Sequence, residues 1–103
     1  MTEDDFKQVF TQANLSYRYK PVPEVIQRNI DGKILILLFN TDDEMYEVDG
    51  IAIKIWEKIV EKQNLPYFLF QYSSENKIPT ERFCKDTISF LQDLLSRNII
   101  QSE

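Results

Sequence analysis

Few side chains in this 103-residue chain are suited to chemistry, and their spacing assembles no familiar reaction centre. The nearest approach is the acidic trio Asp42, Asp43 and Glu44. Clustered carboxylates can share a proton for acid–base work or hold a calcium ion. Here they follow Asn40 and Thr41 in what reads as a polar turn, where water screens them. The alternating ligands and central glycine of a calcium loop are absent. The chain has no histidine, so no nucleophile has an imidazole base to activate it. Its one cysteine, Cys84, can form neither an internal disulfide nor a zinc ligand set. Gly32 and Gly50 are the only glycines, too few for a phosphate-cradling loop. A non-catalytic protein is therefore expected, with no metal and no cofactor.

Composition narrows the partners. Hydrophobic residues make up 43% of the chain and aromatics 13%, enough for one modest core and one domain. The formal net charge of -5 repels phosphate backbones unless the basic groups cluster. Lys20, Arg28, Lys54, Lys58, Lys85 and Arg97 are instead interleaved with acids, so no nucleic-acid partner is expected. The longest apolar run, Ile34 to Phe39, is too short to span a bilayer, and the acidic N-terminus does not read as a secretory signal. A lone thiol suits a reducing cytoplasm.

The elements that must position any site can be read in order. Met1 to Leu15 patterns as an amphipathic helix, capped by Thr2, with Glu3, Asp4 and Asp5 in the first turn and Phe6, Val9, Phe10 and Ala13 on one face. It would lie on the domain surface, meet a partner or fray. Pro21 and Pro23 enforce an extended approach to a strand, Val25 to Ile30. Asp31-Gly32 suits a two-residue primed turn, and Lys33 to Phe39 returns as a second strand. Both faces of that strand are apolar, which predicts a central strand covered on both sides. The N-terminal helix is the natural cover for the second face; self-association is the alternative.

Glu44 to Val48 reads as a third strand and, in the order one, two, three, as a sheet edge with unpartnered N–H and C=O groups. Asp49 is expected to cap a helix carrying Ala52, Ile55, Trp56 and Ile59 on one stripe, widened by Ile53 and Val60. Trp56 lies mid-stripe and reads as core. Pro66 inclines the aromatic run Tyr67 to Tyr72 toward a short helix, with Ser73 to Asn76 as its polar exit. Thr80 is expected to cap the last helix, whose stripe includes Phe83, Cys84, Thr87, Ile88, Leu91, Leu94 and Leu95. Cys84 there reads as a small buried hydrophobe. Asn98 suits a left-handed helix end, with Ile99 folding back on Leu94. Three strands and three helices also match a winged helix that reads DNA. The charges of its last helix, Glu81, Arg82, Lys85, Asp86, Asp93 and Arg97, sum to zero, which disfavours that use.

Taken together, Pro23 with Arg28, Asp31-Gly32, Tyr46 before Val48-Asp49, Ile55-Trp56-Glu57, Asp86 before Phe90-Leu91 and Leu94, and the exit Asn98-Ile99-Ile100 resemble the PqqD-like family, the RiPP recognition elements. The resemblance covers Pro21 to Ile100. Ile51-Ala52 stand where the family usually has threonine–glycine, and Asn98 where it usually has glycine. It implies an α+β, winged-helix-like fold: a three-stranded antiparallel sheet packed on three helices, here with an extra N-terminal helix. The divisions are then residues 1–16, the N-terminal amphipathic helix, and 17–103, the PqqD-like peptide-binding domain.

The resemblance also implies capture of the leader segment of a ribosomally made precursor peptide. The leader adds to the third strand and rests on the last helix, while a radical-SAM enzyme, cyclase or protease works on the peptide's other end. On that reading Glu44, Met45, Tyr46, Glu47 and Val48 supply the strand, and Arg82, Phe83, Lys85, Asp86 and Ser89 the helical side. A stand-alone cytoplasmic peptide chaperone, and a possible homodimer, are the expectations carried forward.

Overall fold

The computed structural model describes residues 1–39 and 45–103. It is α+β: helix α1 (Glu3–Gln12), strands β1 (Tyr19–Pro21), β2 (Val25–Ile30), β3 (Lys33–Leu38) and β4 (Met45–Val48), helices α2 (Ala52–Val60), α3 (Leu65–Asn76) and α4 (Thr80–Ser96), and strand β5 (Ile100–Ser102). Strands β2, β3 and β4 form an antiparallel sheet in that order, with β3 central. A second, two-stranded sheet joins β1 to β5.

Local chemistry explains most boundaries. Thr2 and Asp5 form a reciprocal capping box at α1: the Asp5 amide donates to Thr2 Oγ1, and the Thr2 amide donates to Asp5 Oδ2 at 2.7 Å. Asp31 and Gly32 both have positive φ, 52° and 77°, as a primed two-residue hairpin turn requires. Asn64 caps α3, its side-chain oxygen accepting from the Tyr67 amide at 3.0 Å, with Pro66 in the first turn. At the end of α4, Asn98 has φ 59°; its amide bonds back to the Leu95 carbonyl, and the Ile99 amide to that of Leu94. That pair of bonds is the Schellman arrangement, and it turns the buried Ile99 and Ile100 into the core.

The core joins all the helices to the inner face of the large sheet. Phe6 and Phe10 of α1, Trp56 and Ile59 of α2, Leu65 and Leu69 of α3 and Leu91 and Leu94 of α4 are all fully buried. Ile34, Ile36 and Val48 meet them from the sheet. Trp56 is core as expected, and its indole N–H donates to the Gln27 side chain at 2.9 Å. Cys84 is buried, as its place in the stripe suggests.

Five expectations need correction. α1 does not cover the second face of the large sheet; it packs on α3, with Phe6 and Phe10 fully buried in the core. Asp49 does not cap α2: the chain makes a turn first, through Gly50 at φ 59°, and the helix starts after Ile51 without a side-chain cap. Val60 faces solvent at the end of that helix rather than widening the stripe. Residues Ser73 to Asn76 continue α3 rather than leaving it, and the stop is Lys77 in the left-handed region. Thr80 is the first residue of α4, not its cap, which is Pro79.

Candidate functional site

The edge strand β4 pairs only with β3 among the described residues, in the register Ile34–Val48, Leu35–Glu47, Ile36–Tyr46 and Leu37–Met45. Which of its backbone groups face outward follows from the hairpin. In a two-residue primed turn the closing pair, here Ile30–Lys33, exchanges both hydrogen bonds. Alternation along β3 then directs Lys33, Leu35 and Leu37 toward β2, and Ile34 and Ile36 toward β4. The Phe39 amide donating to the Glu24 carbonyl at 2.8 Å keeps the same parity. Tyr46 and Val48 therefore spend their backbone groups on β3. The N–H and C=O groups of Met45 and Glu47 point out of the sheet edge, forming a short rim with no strand paired to it among the described residues.

Side chains sort by the same alternation. Met45, 58% exposed, and Glu47 stand on the outer face, where Glu47 pairs with Lys33 at 2.7 Å. That bond, with the Glu47 charge, holds the Lys33 ammonium above its usual pKa. Tyr46 and Val48 turn inward; Val48 is fully buried. The Tyr46 hydroxyl donates to Asp93 Oδ2 at 2.8 Å. Its ring lies 6.4 Å from that of Phe90, and the Arg97 guanidinium sits 5.1 Å from its centroid. Asp93 also accepts from Arg97 Nε at 3.1 Å. Burial, followed by the Asp93 bond, pushes the Tyr46 phenol up to about 12. The Tyr46 bond, followed by that of Arg97, holds the Asp93 carboxyl below the ordinary carboxylate value.

This cluster ties β4 to one flank of α4. On a helix, positions 82, 86, 90, 93 and 97 fall on one stripe. Arg82, Asp86, Phe90, Asp93 and Arg97 therefore share one flank of α4, with Arg82–Asp86 and Arg97–Asp93 as i,i+4 ion pairs at 3.7 Å and 3.1 Å, and Phe90, Asp93 and Arg97 are the members that contact Tyr46.

The structure divides the residues expected from the sequence. Met45 and Glu47 lie on the rim, and Arg82 and Asp86 lie on the same flank of α4 as Asp93, nearer the helix N-terminus. Tyr46 is the strut between the two. Val48 and Phe83 are core, and Phe83 packs its ring 6.0 Å from that of Tyr72. Neither side chain is free to touch a ligand. Lys85 and Ser89 lie on the opposite flank of α4, lining an apolar groove of about 290 Å³ with Met1, Val9 and Ile88. Glu44 lies outside the described residues. The sequence points to the Phe83 to Phe90 part of the last helix for apolar anchors, and Asp93 and Arg97 lie beyond it. Their signal was present in the four-residue spacing from Arg82 and Asp86, but nothing in one sequence says which flank of a helix meets an edge strand.

No group of three or more histidine, cysteine or acidic side chains among the described residues is placed to hold a metal ion. No described helix is long and apolar enough to cross a membrane. Comparison with protein-family models, curated proteins and solved structures finds no match.

Proposed function

We propose that this chain is a non-catalytic cytoplasmic module that captures an extended peptide on the rim of β4, and that the peptide is the leader of a ribosomally synthesised precursor. The rim carries the proposal: two residues of a sheet edge with outward backbone groups, on a strand tied through Tyr46 to Phe90, Asp93 and Arg97 of α4. The PqqD-like resemblance names the class of peptide. A modifying enzyme, such as a radical-SAM enzyme, cyclase or protease, would then act on the segment the leader presents.

Strand addition gives affinity nearly independent of peptide sequence, because the bonds are main-chain. Each is worth about 0.5–1.5 kcal/mol net. Micromolar binding requires about 8 kcal/mol, and ordering a flexible leader costs more. A short rim cannot supply that alone. The remainder must come from side chains set against Phe90 and Met45, with Arg82 and Asp86 able to select for charge in the leader.

The test is titration with a leader peptide, followed by NMR at the β4 amides, in the natural protein and in Glu47→Pro. The Glu47 amide points to the rim, so proline there removes a donor offered to the peptide and none from the β3 ladder. Loss of binding by a folded Glu47→Pro protein is expected. Full binding by that variant would exclude strand addition at β4.

A further inference from the structure

The large sheet has a second edge. β2 pairs only with β3 among the described residues, and it is longer than β4. The closing pair Ile30–Lys33 fixes its parity: Ile26, Arg28 and Ile30 spend their backbone groups on β3. The backbone groups of Val25, Gln27 and Asn29 point out of the edge. The Val25 amide turns back to the Val22 carbonyl at 3.1 Å. Gln27 and Asn29 have no such backbone partner among the described residues.

The side chains of Gln27 and Asn29 lie on the inner face, across from α2. Gln27 bridges the gap: its Oε1 accepts from the Trp56 indole at 2.9 Å, and its Nε2 donates to Asn29 Oδ1 at 3.1 Å. Two hollows share Gln27 and Glu57 as walls. One, of about 180 Å³, reaches Trp56, Val60 and Glu61; the other, of about 300 Å³, reaches Asn29 and Ile53. Together they make a groove along the β2 edge, and Val60, 45% exposed, forms part of its apolar floor. Charge along the groove is unbalanced. Lys33 is paired with Glu47, and Glu61 with Lys58. Glu57 is exposed and has no ion-pair partner among the described residues.

We propose that the β2 edge is a second strand-addition site, whose occupant is an extended basic segment of another protein. Antiparallel addition pairs two residues of that segment with Gln27 and Asn29 through four main-chain bonds. Residues directly opposite share a face, so those two side chains enter the groove over Val60. A lysine or arginine there lays its methylenes on Val60 and its charge against Glu57. The residue between them falls beside Arg28 on the other face, where a second cation is repelled. The edge thus selects cations at alternate positions, with uncharged or acidic residues between. A second copy adding its own β2 fits worse, because it brings another Glu57 and Glu61 against the first pair. The proposal does not rest on leader capture, since β2 and β4 are opposite edges of the sheet.

The probe is an acetylated hexapeptide of alternating lysine and threonine. Four main-chain bonds of ordinary net worth set a Kd scale of about 1 mM, so the titration runs to about 5 mM. The Gln27 and Asn29 amides should shift in NMR spectra, and a glutamate–threonine peptide should bind at least about tenfold more weakly. Asn29→Pro removes an outward donor and no ladder bond, and should abolish the response at Gln27 in a folded protein. Glu57→Lys changes an exposed helix position and should reverse the preference between the two peptides. No shift in the natural protein, equal binding of the two peptides, or an unchanged preference in Glu57→Lys overturns the proposal. So does full binding by folded Asn29→Pro protein. Concentration-dependent shifts at these amides without peptide give the edge to a second copy and also overturn it. Leader titration read at the Met45 and Glu47 amides should be unchanged in Asn29→Pro, so the two readings fail independently.

Discussion

Tyr46 does the most structural work of any residue near the rim. One side chain links the edge strand to α4 by a hydroxyl bond to Asp93, a ring contact with Phe90 and the Arg97 guanidinium over its face. Two pH limits follow. Asp93 is held below its usual value, so its share of stability is present above the ordinary carboxylate pKa and is lost as pH falls through the depressed one. Tyr46 is raised from 10.0 to about 12, so its share is present below pH 10.0 and is lost as pH climbs toward 12. Tyrosinate absorbance should show a phenol titrating late, toward pH 12, and Tyr46→Phe should abolish that late step. At neutral pH the same substitution should cost about 1 kcal/mol in denaturant melts, the net worth of one hydrogen bond. Tyr46→Pro should behave quite differently from Glu47→Pro. It removes an amide bonded to Ile36 as well as the strut, and should leave the sheet unable to form. Circular dichroism of the two proline variants separates those outcomes.

At the scale of elements, α1 has a role that its pattern alone could not assign. Its apolar stripe was legible, down to the Thr2 cap, but a stripe does not say what it meets. The structure sets Phe6 and Phe10, both 0% exposed, against α3. Phe10→Ala should cost about 3–5 kcal/mol, and deletion of residues 1–15 more, read as a lower denaturation midpoint. Had α1 covered the sheet, its loss would have promoted association through that face instead. The strands β2 and β3 and the turn between them were legible because Asp31-Gly32 suits a tight primed hairpin and is followed by an apolar run of strand-forming residues. β4 was legible as an edge from strand order. The β1–β5 pairing was not. Each strand is three residues long, and nothing local marks Ile100–Ser102 as a partner for Tyr19–Pro21. Likewise the choice of flank on α4 depends on how the whole helix is rotated. That is why the sequence does not show that Lys85 and Ser89 line a groove with Met1 and Val9, or that Asp93 and Arg97 meet Tyr46.

For the whole molecule, the β1–β5 pair closes the fold by bringing the two ends of the chain together. The segment after α1 and the segment after α4 meet as Tyr19–Ser102, Lys20–Gln101 and Pro21–Ile100, reinforced by the Ser16 and Ser102 hydroxyls at 2.8 Å. Tyr19, Ile99 and Ile100 are all buried there, and the Val22 amide donates to the Ile99 carbonyl. This closure explains how α1, far from the rim, and α4, beside it, belong to one cooperative core. Removing residues 99–103 strips two buried isoleucines and uncovers Tyr19. By the ordinary cost of deleting core side chains, the loss should be at least about 2–5 kcal/mol. Hydrogen exchange should then show protection lost first at β1 and at the C-terminal end of α4, where the Schellman bonds also go. If the loss is instead confined to β1, with α1 and α4 protected as before, the two ends are an independent clasp and the core does not depend on them. Cooperative loss is the expected result, because Ile99 and Ile100 pack into the same cluster as Phe10, Leu65 and Leu94.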